Sequence, residues 1–159
     1  MSHTQLLLQY LHQLRLLHLL ASLAHHVIVP PAVVHELAAG CAQGVDLPSP
    51  EQLDWVSIRA PVSKSAIPLV TDLGTGETEV LALALESTDS VAVLDDALAR
   101  RVAAMLGIRV RGTLGLLLDA KQAGLLTAVA PLLDQLQALG FRLNPQTRVG
   151  LLDLAGESP

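Results

Sequence analysis

Short aliphatic runs, each followed at once by a helical pattern, constrain the fold of this chain more than any other feature. Three such runs cover residues 27–29, 91–94 and 108–110. Alternation of this kind is typical of a parallel sheet with right-handed helical crossovers. Aromatic residues make up only 2% of a chain that is 51% hydrophobic. An aliphatic core suits helices packed on buried parallel strands, so the sequence predicts an α/β fold.

The predicted elements fill most of the chain. A fourth strand is expected over 55–58. Helices are expected over 5–24, 32–39 with Gly40 as the stop, 78–85, 96–106, 113–123 with Thr113 as the N-cap, and 127–139. The segment from Gly150 is predicted to be a loose tail. The predicted organisation is therefore one domain over 1–145 and a short C-terminal tail over 146–159.

Composition narrows the class of protein. A chain of 159 residues fits one domain. The leucine-rich stretch over 6–23 is too polar to span a membrane, and no basic region precedes it as in a secretory signal. The single cysteine, Cys41, excludes an internal disulfide and matches a reducing, cytoplasmic location. The net charge of −5 leaves nucleic-acid contact to a local basic patch, or makes the partner a protein.

Acidic residues follow or begin elements at one predicted edge of the sheet. Asp95 and Asp96 come directly after the strand over 91–94, Glu77 and Glu79 open a helix, and Glu36 lies one turn into another. Ligands of open α/β sheets bind beyond the carboxyl ends of the strands. Clustered carboxylates there suit a hard cation such as Mg²⁺. Helix capping is the alternative for all but Glu36, whose alternative is a solvated helix position.

Four segments carry a family resemblance. They read VIVPPAVVHEL (27–37), GTGETEVLALALE (74–86), VLDDALARRVAAMLGIRVRGTLGLLLDAKQAGLL (93–126) and PLLDQLQALGFRL (131–143). Together they resemble the DUF3368 family of PIN-domain proteins, whose members are similar to the VapC-type toxins of prokaryotic toxin–antitoxin pairs. The resemblance implies a three-layer α/β/α fold with a central parallel sheet and Mg²⁺- or Mn²⁺-dependent endoribonuclease activity.

The resemblance also implies roles for the acidic residues. Glu36, Glu79 and Asp95 match the family's metal-binding positions, with Asp96 as a further catalytic candidate. Glu77 belongs to the family's Gly-Glu-x-Glu pattern and is an additional candidate. These five residues are the predicted active site.

The N-terminus departs from the family pattern. The family opens with an aliphatic strand that ends in a metal-binding Asp, whereas here His3 takes that place and the first strand is truncated or missing. Imidazole supplies nitrogen and no negative charge, while Mg²⁺ prefers oxygen. The sequence therefore predicts weak or absent Mg²⁺-dependent activity, with Mn²⁺ better tolerated.

The expected partners are an RNA substrate and a small antitoxin protein, with no membrane. Arg100, Arg101, Arg109 and Arg111 are the candidate phosphate contacts; ordinary surface charge is their alternative. Two other functions remain open. The chain could be a non-catalytic module that binds RNA or an antitoxin, or a structural homodimer paired through residues 5–24.

Overall fold

The computed structural model describes residues 3–67 and 72–157, with side chains described from residue 6 onward. The strands are β1 Val27–Val29, β2 Val56–Ile58, β3 Ala92–Val93 and β4 Val110–Arg111. The helices are α1 His3–Gln13, α2 His18–Leu23, α3 Pro31–Ala42, α4 Thr75–Glu86, α5 Ala97–Met105, α6 Thr113–Gln122, α7 Ala130–Ala138 and α8 Pro145–Leu154. The chain has the α/β architecture that the sequence predicts.

The strands pair in parallel, as predicted. β1 pairs with β2, with Val27 opposite Val56, and β3 pairs with β4, with Ala92 opposite Val110. Within the described ranges these are two separate two-stranded sheets. The sequence predicts a parallel sheet through 27–29, 91–94 and 108–110 in which 27–29 and 91–94 flank the place of a missing first strand; in the described ranges β1 and β3 are not hydrogen-bonded to each other.

Helix starts gather at the carboxyl ends of the strands. α3 begins two residues after β1, α5 begins soon after β3, and α6 begins two residues after β4. α4 packs against both α3 and α5. The partial positive charge of a helix lies at its N-terminus, where backbone N–H groups lack intrahelical acceptors. This edge of the molecule therefore attracts carboxylates.

The helix predicted over 5–24 is broken into α1 and α2. Arg15 adopts a left-handed conformation with φ of 59°. The Leu16 amide donates to the Leu11 carbonyl, and the Arg15 amide donates to the His12 carbonyl. This is the Schellman ending of a helix, with arginine in the place that glycine usually takes. The turn is stabilised because it carries Leu16 into the core, where it is 9% exposed.

Two predicted helix boundaries are wrong for local reasons. α3 continues through Gly40 to Ala42, and the left-handed residue that follows it is Gly44, with φ of 87°. Thr113 is the first residue of α6 rather than its N-cap, which is Gly112. A glycine N-cap offers no side-chain acceptor, so the cap of α6 has to come from elsewhere.

The C-terminal segment is helical rather than loose. α8 begins after Asn144, whose side chain accepts a hydrogen bond from the Thr147 amide at 2.7 Å. Leu151 and Leu152 are buried against the core. The predicted loose tail is therefore wrong, while the division of the chain at 145/146 stays a prediction.

In the part of the chain that the structure describes, the core consists of three aliphatic clusters. The largest joins α1 and α2 to α6, α7 and α8, a second joins α4 and α5 to β3, and a third joins β1 to α3. Among the helices that the structure describes, none is long and apolar enough to cross a membrane.

Candidate functional site

Glu36 of α3 and Glu79 of α4 each accept a hydrogen bond from a backbone amide of the opposite helix. Oε2 of Glu79, on α4, accepts from the Ala32 amide at 2.9 Å, and Ala32 is the second residue of α3. Oε1 of Glu36, on α3, accepts from the Gly76 amide at 3.2 Å, and Gly76 is the second residue of α4. Each helix therefore carries the carboxylate that meets the N-terminus of the other.

The residues at these two helix starts explain why the acceptors are distant. The N-cap of α3 is Pro30 and the N-cap of α4 is Gly74, and neither makes a side-chain capping bond. Gly76 also leaves room for the incoming acid, because a Cβ atom there would lie 2.7 Å from Oε2 of Glu36. The N-cap residues supply no side-chain acceptor, and packing brings carboxylates from the partner helix.

Asp95 performs the same task for α6. Its Oδ1 accepts from the Thr113 amide at 2.9 Å, and its Oδ2 accepts from the Thr113 hydroxyl at 2.6 Å. Thr113 is fully buried. A Cβ atom at Gly112 would lie 2.5 Å from Oδ1 of Asp95, so a glycine is needed for this approach.

The two remaining acids also lie at helix starts. Asp96 is the N-cap of α5, and its Oδ2 accepts from the Ala99 amide at 2.8 Å. Glu77 lies in the first turn of α4, is 3% exposed and folds back against Gly74. We call the set Glu36, Glu77, Glu79, Asp95 and Asp96 the acidic rim.

Lys64 and Tyr10 interact electrostatically with acids of the acidic rim. The half-exposed ammonium of Lys64 lies 3.5 Å from Oε1 of Glu79. On α1, burial first and the negative charge of Asp95 second raise the pKa of Tyr10. The Tyr10 ring meets Phe141 edge to face, with centroids 5.4 Å apart. Lys64 is therefore a basic neighbour of the acidic rim, and the Tyr10 phenol lies within electrostatic reach of it.

The predicted convergence of Glu36, Glu79 and Asp95 on one cation is not seen. Among the residues with described side chains, no three His, Cys, Asp or Glu are placed to hold one metal ion. The pairwise contacts explain this arrangement, because both oxygens of Asp95 face Thr113 and those of Glu79 face Ala32 and Lys64. Each of these acids therefore meets a helix start of its own rather than a shared ligand position.

The four candidate RNA-binding arginines do not lie together. The Arg100 guanidinium approaches Gly112 from the same side as Asp95, so it lies at the acidic rim. Arg101 is exposed on α5. Arg111 pairs with Asp119 at 2.8 Å.

Arg109 lies apart from Arg100 and Asp95, and its predicted contact with RNA stays a prediction. It lines a pocket with Ser87, Asp89 and Ser90, which precede β3, and its guanidinium lies 3.9 Å from the Asp89 carboxylate. That pocket is at the amino ends of β3 and β4, away from the acidic rim.

His3 is the first residue of α1. Its side chain is outside the described part of the structure, so its proposed metal contact stays a prediction.

Sequence reasoning missed the partners of the acids. Lys64, Gly76 and Gly112 were not singled out, and Thr113 was given a local capping role. A usable signal was present, since each helix that receives a distant carboxylate starts at a residue without a side-chain acceptor. For the helices that Glu79, Glu36 and Asp95 meet, those N-cap residues are Pro30, Gly74 and Gly112.

Comparison with known proteins identifies the family. Among curated proteins and among solved structures, no significant match to the chain is found. A family model described as PIN domain matches residues 4–157, which is nearly the whole chain. The chain therefore belongs to the DUF3368 family of PIN-domain proteins.

Proposed function

We propose that this protein is a PIN-type nuclease module that acts on RNA at the acidic rim, as an endoribonuclease. The observation that carries the proposal is the family match over residues 4–157. The acidic rim adds support, because acids from three separate segments lie at helix starts, with Arg100 beside Asp95. An exposed guanidinium next to these acids is suited to an RNA phosphate.

The finer points of the proposal follow from the family resemblance. In this proposal the chain is the toxin of a toxin–antitoxin pair and cleaves RNA in the cytoplasm. Its protein partner is a small antitoxin. Growth arrest on induction of the chain, relieved by co-expression of a small neighbouring gene product, is the expected behaviour.

A divalent cation does not fit the acids as the structure arranges them. Mg²⁺ demands near-ideal octahedral oxygen geometry. Asp95 already accepts two bonds from Thr113, and Glu79 accepts one from Ala32 beside Lys64. We therefore assign no catalytic step to Mg²⁺ or Mn²⁺.

The same contacts favour a second candidate function, a non-catalytic module that binds RNA or an antitoxin through this edge. Carboxylates held by backbone amides keep the edge rigid without performing chemistry. In this case Arg100 would bind a partner without any cleavage.

One experiment separates the two functions. A labelled single-stranded RNA is incubated with the chain in EDTA, in Mg²⁺ and in Mn²⁺, while fluorescence polarisation follows binding and gels follow cleavage. We expect cleavage that is weak in Mg²⁺ and stronger in Mn²⁺, that Asp95→Asn abolishes and that Asp54→Asn, an exposed control, preserves. Binding without cleavage would favour the second function, and neither binding nor cleavage would refute both.

Arginine variants test the position of the RNA. Arg100→Gln is expected to weaken binding about tenfold, as for the loss of one charge-assisted hydrogen bond. Arg109→Gln is the matched control, because Arg109 is equally an exposed arginine but lies at the opposite edge. Equal effects of the two substitutions would show that RNA contacts the protein through general charge alone.

A further inference from the structure

The fold gives the rim acids partners that a metal-binding role does not require. Glu79 meets an amide 47 residues away, Glu36 meets one 40 residues away, and Asp95 meets one 18 residues away. All three amides lie in the first two residues of a helix, where no intrahelical acceptor exists. We infer that Glu36, Glu79 and Asp95 are inter-element helix caps, which hold α3, α4 and α6 in place in the metal-free protein.

The direction of each hydrogen bond supports the inference. A carboxylate near a helix N-terminus is stabilised by the helix dipole and by the orphan amides. The bonds are 2.9 Å long for Glu79 and Asp95, which is usual for a charged acceptor. A Cβ atom at Gly76 or Gly112 would crowd the carboxylate that caps that helix. The backbone is thus shaped to admit these acids at the helix starts.

The reciprocal pair fixes the relation between two helices. Ala32 of α3 lies beside Glu79 of α4, while Glu36 of α3 lies beside Gly76 of α4. The two contacts run in opposite order along the helices, so the N-terminal halves overlap in antiparallel fashion. Sliding one helix along the other would break both bonds at once. The pair therefore sets the register of α3 against α4.

Capping and metal binding predict opposite responses to neutralisation in EDTA. Acids gathered for a cation repel one another when the cation is absent, so removing one charge should raise the melting temperature. Neutralising an acid that caps a helix should instead lower the melting temperature. We expect Glu36→Gln, Glu79→Gln and Asp95→Asn each to lower Tm by about 1–4 °C, because the amide keeps an acceptor oxygen but loses the negative charge that the helix N-terminus stabilises. Asp54→Asn should leave Tm unchanged.

Hydrogen exchange tests each contact by its own amide. Glu79→Gln should speed exchange at Ala32 but not at Thr113, and Asp95→Asn should do the reverse. Each variant is thus the control of the other, and a uniform increase at both amides would overturn the assignment of specific caps. Even if a variant does not fold, slow exchange at Ala32, Gly76 and Thr113 in the unsubstituted protein supports capping, whereas rapid exchange at all three overturns it.

Metal addition completes the test. We expect Mg²⁺ and Mn²⁺ to leave the Tm of the unsubstituted protein unchanged within the error of the scan. A rise in Tm with metal that Glu79→Gln removes, or a rise in Tm on neutralisation in EDTA, would show a preformed cation site and overturn the inference. These readouts do not depend on RNA, so they remain separate from the outcome of the cleavage experiment.

Discussion

Asp95 and Asp119 accept hydrogen bonds of similar length in different surroundings. Asp95 accepts from the Thr113 hydroxyl at 2.6 Å, and Asp119 accepts from the Arg111 guanidinium at 2.8 Å. Thr113 is 0% exposed, whereas the Arg111 side chain is 48% exposed. Water therefore competes more strongly for the second contact than for the first. The contribution of each bond to stability should follow its burial rather than its length.

A pair of double-mutant cycles measures this difference. For Thr113→Val combined with Asp95→Ala we expect a coupling free energy of about 1–3 kcal/mol, because the hydrogen bond between the buried hydroxyl and the carboxylate is lost. For Arg111→Gln combined with Asp119→Asn we expect about 0–1 kcal/mol. Urea unfolding of the four proteins in each cycle gives both values. A coupling near zero between positions 95 and 113 would contradict the bond between the Thr113 hydroxyl and the Asp95 carboxylate.

At the scale of single elements, Glu157 fastens the end of α8 to two other helices. Its carboxylate accepts from the Val129 amide at 2.7 Å, from the Ala130 amide at 3.1 Å and from the Lys121 ammonium at 3.1 Å. The backbone hydrogen bonds from Val129 and Ala130 are the largest cause of a lowered pKa of Glu157, and Lys121 lowers it further while burial opposes the shift. The ionised form is thus the one that the fold stabilises.

The lowered pKa sets the pH dependence of this contact. A carboxyl whose folded pKa is depressed contributes its full stability above the unfolded value, about 4.3, and loses it as the pH falls through the folded pKa. We expect Glu157→Gln to lower Tm at neutral pH and the difference from the unsubstituted protein to vanish in acid. Asp153→Asn, an exposed change on α8, is the control. A difference that persists below the folded pKa would show that charge is not the cause.

The sequence predicted elements better than it predicted their ends and contacts. Periodic apolar residues identified the strand–helix alternation because burial repeats locally along each element. The break at Arg15 was missed because it depends on where Leu16 can be buried, which is a property of the packed core. The stop at Gly40 was wrong because the left-handed turn falls at Gly44.

For the candidate site, the sequence predicted the residues better than their arrangement. The rim acids were found because acidic residues after strands or at helix starts form a local pattern. Their arrangement was missed because the bond from Glu79 to Ala32 joins parts of the chain that only packing brings together. Capping was considered for Glu77, Glu79 and Asp95, but only within their own helices or at the next one. Glu36 was given no capping role at all.

At the scale of the whole molecule, carboxylates meet the N-termini of several helices. Five successive helices, α3 to α7, each receive one at the N-terminus. In order, the carboxylates belong to Glu79, Glu36, Asp96, Asp95 and Glu157. Only Asp96 belongs to the N-cap residue of the helix that it caps. Part of the negative charge of the chain is thus used to join segments that lie far apart in sequence.

The largest apolar cluster includes residues of the C-terminal helix α8. α8 supplies Leu151 and Leu152 to the cluster that also holds α1, α2, α6 and α7. Leu152 is 2% exposed, whereas Leu154, two residues later on the same helix, is 67% exposed. If α8 is part of the core, only the first of these leucines should matter to stability.

Alanine substitutions at these two leucines test that conclusion. We expect Leu152→Ala to lower the free energy of unfolding by about 2–5 kcal/mol, because it removes buried methyl groups and leaves a cavity. Leu154→Ala should stay within about 0.5 kcal/mol of the unsubstituted protein, since its side chain faces solvent. Both changes have the same chemistry in the same helix, so helix propensity cancels between them. Equal, small losses would mean that the segment is a detachable tail, as the sequence alone suggested.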